Sequence, residues 1–289
     1  MKILYILDGS AFIYRSFFAL PPLSTKNGFP TGAIYGFMRT VFSLLKTEKP
    51  KCFVVVFDHP APTTRAKVYS AYKSKRPPMP NPLKLQIPII KEFLRLMGIP
   101  ILEVEGYEAD DLIGYLVKKA VDMGFSVKVY SPDKDILQLV SDKVSVINPM
   151  NGEVFTKKSV IEKFGVPPEL IPDYLALVGD KVDNVEGIKG IGKKTAVKVL
   201  EKYGSVENIL KNFEEFKMAF PQADKEKLEL SYFLVKLQQV PDIDLREMDM
   251  CMKEPDVEKL KERLTELEMK SLLKDVDVIF RGISQKSLF

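Results

Sequence analysis

Short apolar runs rich in β-branched residues punctuate the first half of the chain: Ile3 to Leu7, Phe53 to Phe57 and Val127 to Tyr130. Their length and composition predict strands. Between them lie stretches with helical spacing of apolar positions, such as Thr31 to Leu45 and Asp110 to Met123. This alternation argues an α/β fold whose parallel sheet is joined by crossover helices. Near residue 175 the pattern becomes helical, with Val257, Leu260, Leu264 and Leu267 at the helical period. The expected organisation is therefore an α/β core over 1–175 and a helical part over 176–289.

Acidic residues fall in five islands, four of which follow or open one of these elements: Asp8, Asp58, then Glu108, Asp110 and Asp111, then Asp133 and Asp135, then Asp180 and Asp183. A single Asp after a strand is ordinarily a turn residue or a helix N-cap. Strand ends of an open α/β sheet, however, share one crevice. Carboxylates gathered there repel one another and take up protons unless cations sit among them. Hard oxygen ligands without clustered Cys or His point to Mg²⁺ or Mn²⁺. Two such ions suit phosphoryl transfer, where they hold the attacking and leaving oxygens.

The composition, 46% hydrophobic over 289 residues, is enough for an ample core without staples. Cys52 and Cys251 lie far apart in sequence and read as ordinary residues of a reducing compartment. No apolar stretch has membrane-spanning length and the N-terminal run is too short for a signal sequence, so a cytoplasmic monomer with no membrane contact is expected. Charge sharpens the picture. The net value is only +4, but setting the nine clustered carboxylates aside leaves a strongly basic body. A basic body around an acidic metal site suits a nucleic-acid enzyme, because it attracts phosphates that the bare site repels.

Two further segments carry chemistry. Drawn as a helix, residues 65–76 place Arg65, Tyr69, Tyr72, Lys73 and Arg76 on one stripe, mixing cations and rings as a frayed or single-stranded end requires. Pro77, Pro78, Pro80 and Pro82 stop that helix before the pattern resumes at Ile87, Ile90, Leu94 and Met97. Farther on, Gly187-Ile-Lys-Gly-Ile-Gly-Lys-Lys-Thr195 comes close to a nucleotide-binding P-loop. A P-loop needs a hydroxyl directly after Lys193, where Lys194 stands, which argues against an NTPase. What remains is a glycine turn entering a helix at Thr195, able to hold a backbone phosphate through Gly187, Gly190, Gly192, Lys193 and Lys194.

These segments together resemble the 5′ nuclease family, in particular the 5′ to 3′ exonuclease domain at the front of bacterial DNA polymerase I, and more distantly the flap endonucleases. The resemblance is carried by LDGSAFIYRSFFAL at 7–20, GFPTGAIYGF at 28–37, VVFDHPAPTTR at 55–65, AYKSKRPPMP at 71–80, GYEADD at 106–111, SPDKDILQL at 131–139 and VGDKVDNVEGIKGIGKKTA at 178–196. It implies a PIN-like nuclease core with a helical arch at about 65–98 and a helix-three-turn-helix domain. It also implies one metal near Asp8, Asp58, Glu108 and Asp110 and another near Asp111, Asp133, Asp135, Asp180 and Asp183. Lys73 and Arg76 would approach the scissile phosphate, Arg15 and Arg65 would hold the 5′ strand, and the glycine turn would grip duplex DNA with a K⁺ ion. The implied activity is 5′ exonuclease and flap cleavage on DNA 5′ ends, flaps and RNA primers. The different-class alternative is a catalytically silent branched-DNA-binding protein. Thr64 and Asn81-Pro82 depart from the family pattern within the arch region.

The chain ends Gln285-Lys-Ser-Leu-Phe289, which resembles the peptide by which bacterial replication proteins dock on the sliding clamp. Gln285, Leu288 and Phe289 would be its anchors.

Overall fold

The computed structural model describes residues 2–74, 77–149, 151–241 and 243–280. Its first half runs β1 (Ile3–Asp8), α1 (Gly9–Ala19), α2 (Gly32–Thr47), β2 (Cys52–Val56), α3 (Thr64–Val68), α4 (Asn81–Leu96), β3 (Ile101–Leu102), α5 (Ala109–Asp122), β4 (Ser126–Tyr130), β5 (Val144–Ile147) and β6 (Val154–Phe155). The rest is helical: α6 (Lys157–Phe164), α7 (Ile171–Val178), α8 (Lys193–Tyr203), α9 (Val206–Lys211), α10 (Phe213–Ala219), α11 (Lys225–Val235), α12 (Val257–Glu266) and α13 (Lys270–Ile279).

The six strands form one sheet in the order β3-β2-β1-β4-β5-β6. All neighbours are parallel except β5 and β6. The strands expected at Ile3, Phe53 and Val127 lie side by side at its centre. β1 up to Leu7 and β2 read as unbroken apolar runs because both faces are covered, whereas β4 carries Lys128, paired with Glu48. Along β1, Leu4 and Ile6 point into a core with Leu112 and Leu116 of α5, while Tyr5 and Leu7 join Phe37, Val41 and Phe93 of α2 and α4 on the other face. The order reverses between β1 and β4, and a crevice at the strand carboxyl ends opens at such a switch point.

The C-terminal helices divide in two. α7 to α11 extend the core beneath α5, whereas α12 and α13 return to cover α4 and α2 through Leu260, Leu264, Leu272 and Val276. Ion pairs Lys46 to Asp275 and Arg263 to Glu92 fasten that return. The same segment corrects the reading of the cysteines as ordinary thiols: Cys52 and Cys251, 199 residues apart, are joined as a disulfide. β3 pairs only with the end of β2, at Val55 and Val56. The outer edge at Cys52 is thus open to the returning chain, which bridges it at Cys251 and donates Met252 N–H to the Lys51 carbonyl. Spacing in sequence carries no trace of such a long-range pairing. No described helix is long and apolar enough to cross a membrane.

Candidate active site

The ends of the three central strands, β1, β2 and β4, each bring a carboxylate to the crevice, and local hydrogen bonds fix it. Asp8 closes β1 and caps α1 by accepting from Ala11 N–H at 3.0 Å, while its other oxygen accepts from the buried Ser131 hydroxyl at 2.8 Å. Asp58 follows β2, receives the Ala109 N–H at 2.8 Å and donates its own N–H to Ser10 Oγ. Asp133 follows β4 and accepts from Asp135 N–H at 2.9 Å. Ser10 and Ser131 were not singled out from the sequence, although each stands two residues from a site carboxylate. Asp8, Asp58, Asp110 and Asp133 then line one cavity of about 360 Å³ together with Lys73, Tyr14 and Phe18. A larger cavity of about 690 Å³ continues from it past Tyr14 and Asp58 toward Lys84 and Arg95.

The crowding shows in the acidities. Burial, only partly offset by the bonds from Ala11 and Ser131, pushes the Asp8 carboxyl up to about 7, and the charges of Asp58 and Asp133 act in the same direction. Burial and then Asp133 and Asp8 raise Asp110 well above the usual range. Burial and then Asp133, Asp183 and Asp180 do the same for Asp135. Asp133, also raised, is thereby the link between the cavity group and the Asp135, Asp180 and Asp183 group. Among the described residues, no three acidic, His or Cys side chains stand at coordination spacing. Asp135 Oδ1 is buried with no hydrogen-bond partner among the described residues. A hard cation fits such a donor set, and an apolar or anionic group does not.

Asp180 pairs with Lys134 Nζ at 3.0 Å and accepts from Val182 N–H at 2.9 Å, and Glu108 and Asp111 are engaged more fully still. Glu108 accepts from Lys73 Nζ at 2.9 Å, Tyr72 OH at 3.2 Å, Arg65 Nη1 at 3.3 Å and Thr63 Oγ1 at 3.3 Å. Burial alone would raise its pKa, but Lys73 and Arg65 outweigh that and hold it below the usual carboxylate range. Asp111 receives Arg65 through both terminal nitrogens, at 2.7 and 2.8 Å.

The continuous basic helix over 65–76 is not formed. α3 ends at Val68 and the chain turns, with Lys73 in the left-handed region at φ 54°. Arg65 and Tyr72, expected on a DNA-facing stripe, are buried at 3% and 7% exposure against Glu108 and Asp111. Unpaired carboxylates nearby outcompete solvent for these donors. Lys73 stays at the cavity wall, its ammonium held strongly protonated by Glu108 against the opposing effect of burial. Its backbone N–H donates to the Asp183 carbonyl at 3.2 Å, and Asn184 bonds to the Ala71 carbonyl, which ties this turn to the last carboxylate island. Arg76 lies outside the described residues, as do Gln285, Leu288 and Phe289. Arg15 on α1 has a buried Nη1 with no hydrogen-bond partner among the described residues.

The glycine turn joins α7 to α8, which starts at Lys193 rather than Thr195, with Gly192 as its N-cap. Gly187 is required for packing: a Cβ there would stand 2.3 Å from the Val178 carbonyl carbon. Gly190 has φ 90°, which a side chain would strain. Lys193 and Lys194 are exposed beside the first-turn amides of α8, which have no intrahelical acceptors.

With this geometry in hand, two family models match consecutive parts of the chain. A 5′-3′ exonuclease N-terminal resolvase-like domain covers residues 3–165, and a 5′-3′ exonuclease C-terminal SAM fold covers 166–258. The chain belongs to the 5′-3′ exonuclease family. It is 68% identical to the 5′-3′ exonuclease of Aquifex aeolicus over the whole of both chains. It is 42% identical to the thermostable DNA polymerase I of Thermus thermophilus, where 95% of this chain matches 33% of that protein. Among solved structures, T5 5′-exonuclease with bound zinc superposes with a TM-score of 0.65 at 21% identity, covering 98% of this chain and all of that one. The catalytic core of Rad2 with a DNA substrate also gives 0.65, at 19% identity over 98% and 91% of the two chains. These likenesses show that the fold is that of the family: a mostly parallel α/β resolvase-like part followed by a helical SAM-type part.

Proposed function

We propose that this family member hydrolyses DNA phosphodiesters at 5′ ends and flap junctions in a divalent-metal-dependent reaction. The observation that carries the reading is the gathering of Asp8, Asp58, Asp110 and Asp133 with Lys73 in one cavity at the switch point of the sheet. A silent binding protein has no use for buried carboxylates held against their own repulsion. One ion would be held among Asp8, Asp58, Asp110 and Asp133, and a second among Asp133, Asp135, Asp180 and Asp183; Mg²⁺ or Mn²⁺ suits both. When bound, such ions neutralise phosphate charge and acidify the attacking water. Lys73, kept protonated by Glu108, supplies a fixed positive charge where the phosphate gains negative charge in the transition state. Arg15 would hold the 5′ strand, with Arg76 beside Lys73. The Gly190 to Lys194 turn would bind the duplex backbone, with K⁺ as an additional ion.

Products with a 5′ phosphate, RNA primers as substrates, a monomeric state and a cytoplasmic setting belong to the same proposal. So does clamp docking through Gln285, Leu288 and Phe289. The division near residue 175 is retained as a functional one: the first part carries most of the carboxylate crevice, and the helical part carries the duplex-binding turn together with Asp180 and Asp183. Relatives support the activity: the Aquifex protein is a 5′-3′ exonuclease, and one T5 structure is a flap endonuclease pseudo-enzyme-product complex with DNA and metal ions. A labelled 5′-flap duplex incubated with and without Mg²⁺ tests it. Cleavage should require the metal and fall by about two orders of magnitude or more in Asp135→Asn and Asp180→Asn, with flap affinity in Ca²⁺ retained. Near wild-type cutting by both variants would overturn the assignment.

A further inference from the structure

Two residues that the family resemblance places on the substrate and on the metal face each other in the interior instead. Arg65 has five N–H donors, and all five are used. Nε donates to the Leu234 carbonyl at 2.9 Å, Nη1 to Asp111 Oδ2 at 2.7 Å and to Glu108 at 3.3 Å, and Nη2 to Asp111 Oδ1 at 2.8 Å and to the Lys236 carbonyl at 2.9 Å. No donor is left for a phosphate. Asp111 is filled in the same way. A carboxylate accepts about four hydrogen bonds, and Asp111 takes two from Arg65, one from Gln238 N–H at 2.7 Å and one from Glu108 N–H at 3.3 Å. With 2% exposure and saturated lone pairs, its oxygens have no site to offer a cation.

We infer that Arg65 and Asp111 are positioning residues that act on the reaction through Glu108 and Lys73, and touch neither metal nor DNA. The guanidinium joins three elements: α3, on which it sits, the N-terminus of α5 through Asp111 and Glu108, and the chain leaving α11 through the Leu234 and Lys236 carbonyls. Its planar fork fixes the Glu108 carboxylate from one side while Lys73 Nζ bonds the same oxygen at 2.9 Å. The ammonium at the cavity wall is therefore held in place by a clamp whose far end lies in the helical half. A lysine at position 65 keeps the charge but cannot reproduce the five-bond fork.

This inference rests on the metal-nuclease reading, and the test separates the two. Arg65→Lys, Asp111→Asn and Lys73→Ala, and the Arg65→Lys/Lys73→Ala double variant, are compared with wild type. Three quantities are measured: single-turnover flap cleavage in Mg²⁺, flap affinity in Ca²⁺ across a salt series, and bound Mn²⁺ counted by titration. Expected for Arg65→Lys and Asp111→Asn are a rate reduced about tenfold or more, an affinity and salt slope within about twofold of wild type, and an unchanged Mn²⁺ count. The double variant should be no slower than Lys73→Ala alone, since the clamp works through that lysine. A lost Mn²⁺ in Asp111→Asn, a flattened salt slope in Arg65→Lys, full additivity with Lys73→Ala, or a wild-type rate in Arg65→Lys would each overturn it. If Asp111→Asn does not fold, Arg65→Lys decides alone, because it leaves both carboxylates in place. Wild type that fails to cut in Mg²⁺ would instead remove the nuclease reading itself.

Discussion

Removing divalent ions should make the protein more stable on mild acidification, the reverse of ordinary acid denaturation. Asp8 is the clearest contributor. Burial carries its carboxyl from the ordinary 3.8 to about 7 in the folded protein, so the folded state binds a proton over a range in which the unfolded chain does not. A folded value above the unfolded one means stability present at low pH and lost as pH rises through about 7. From about pH 8 to about pH 5.5 the linkage relation gives about 2 kcal/mol for this one group. For a chain of this size that is about 4 °C in melting temperature. Asp110, Asp133 and Asp135 are raised as well and add in the same direction. Glu108 is lowered, so it stays ionised over this window and does not oppose the trend. The assay is a set of thermal melts in EDTA across the window, repeated with saturating Mg²⁺. In EDTA the melting temperature should climb as the pH falls. With Mg²⁺ the slope should shrink, because a bound cation replaces the proton as the partner of these carboxylates. A melting temperature in EDTA that is flat, or that falls on acidification, refutes the reasoning.

Other outcomes follow from the same geometry. Lys73→Ala should slow single-turnover cleavage by about tenfold or more while leaving flap affinity nearly unchanged, since a charge beside the reacting phosphate counts most in the transition state; equal losses in both would make it an ordinary backbone contact. Lys193→Ala with Lys194→Ala should weaken duplex binding and lower the slope of log affinity against log salt by about one to two phosphate contacts, with unchanged slopes excluding a role in binding. Reducing the Cys52 to Cys251 bridge releases a loop spanning 199 residues. Loop-closure entropy puts the loss at about 5 kcal/mol, to be read as a melting-temperature drop with reductant and as two free thiols by chemical titration; two thiols already free in the untreated protein would refute the pairing.

The parts of the fold legible in sequence were those set by local period. β1, β2 and β4 and the helices α2 and α5 lie where apolar runs and helical spacing placed them, because such elements bury a stripe or a face whatever their distant neighbours are. The crevice was legible for the same reason, since an acid after a strand can only stand at the strand's carboxyl end. What sequence concealed depends on long-range pairing. The stripe over 65–76 has good helical periodicity, yet Glu108 and Asp111, some forty positions away, draw Arg65 and Tyr72 inward and break the helix after Val68. The partner of Cys52 could not be read from one chain for want of any local signal. Gly187 is a different case: its place in a glycine-rich turn suggested a phosphate contact, whereas backbone crowding at Val178 is what excludes a side chain there.

The return of α12 and α13 to the first layer has a consequence for how the chain is made. Tyr5, Leu7, Phe37 and Phe93 belong to a core that is closed by Leu260, Leu264, Leu272 and Val276. On the ribosome, where the N-terminal end emerges first, α2 and α4 can cover this face of the sheet, but the outer side of their own layer must wait for α12 and α13 before it is covered. Until then its apolar surface is open to solvent and to other nascent chains. The N-terminal half is thus complete in connectivity well before it is complete in packing, and its folding is timed by the synthesis of the last helices.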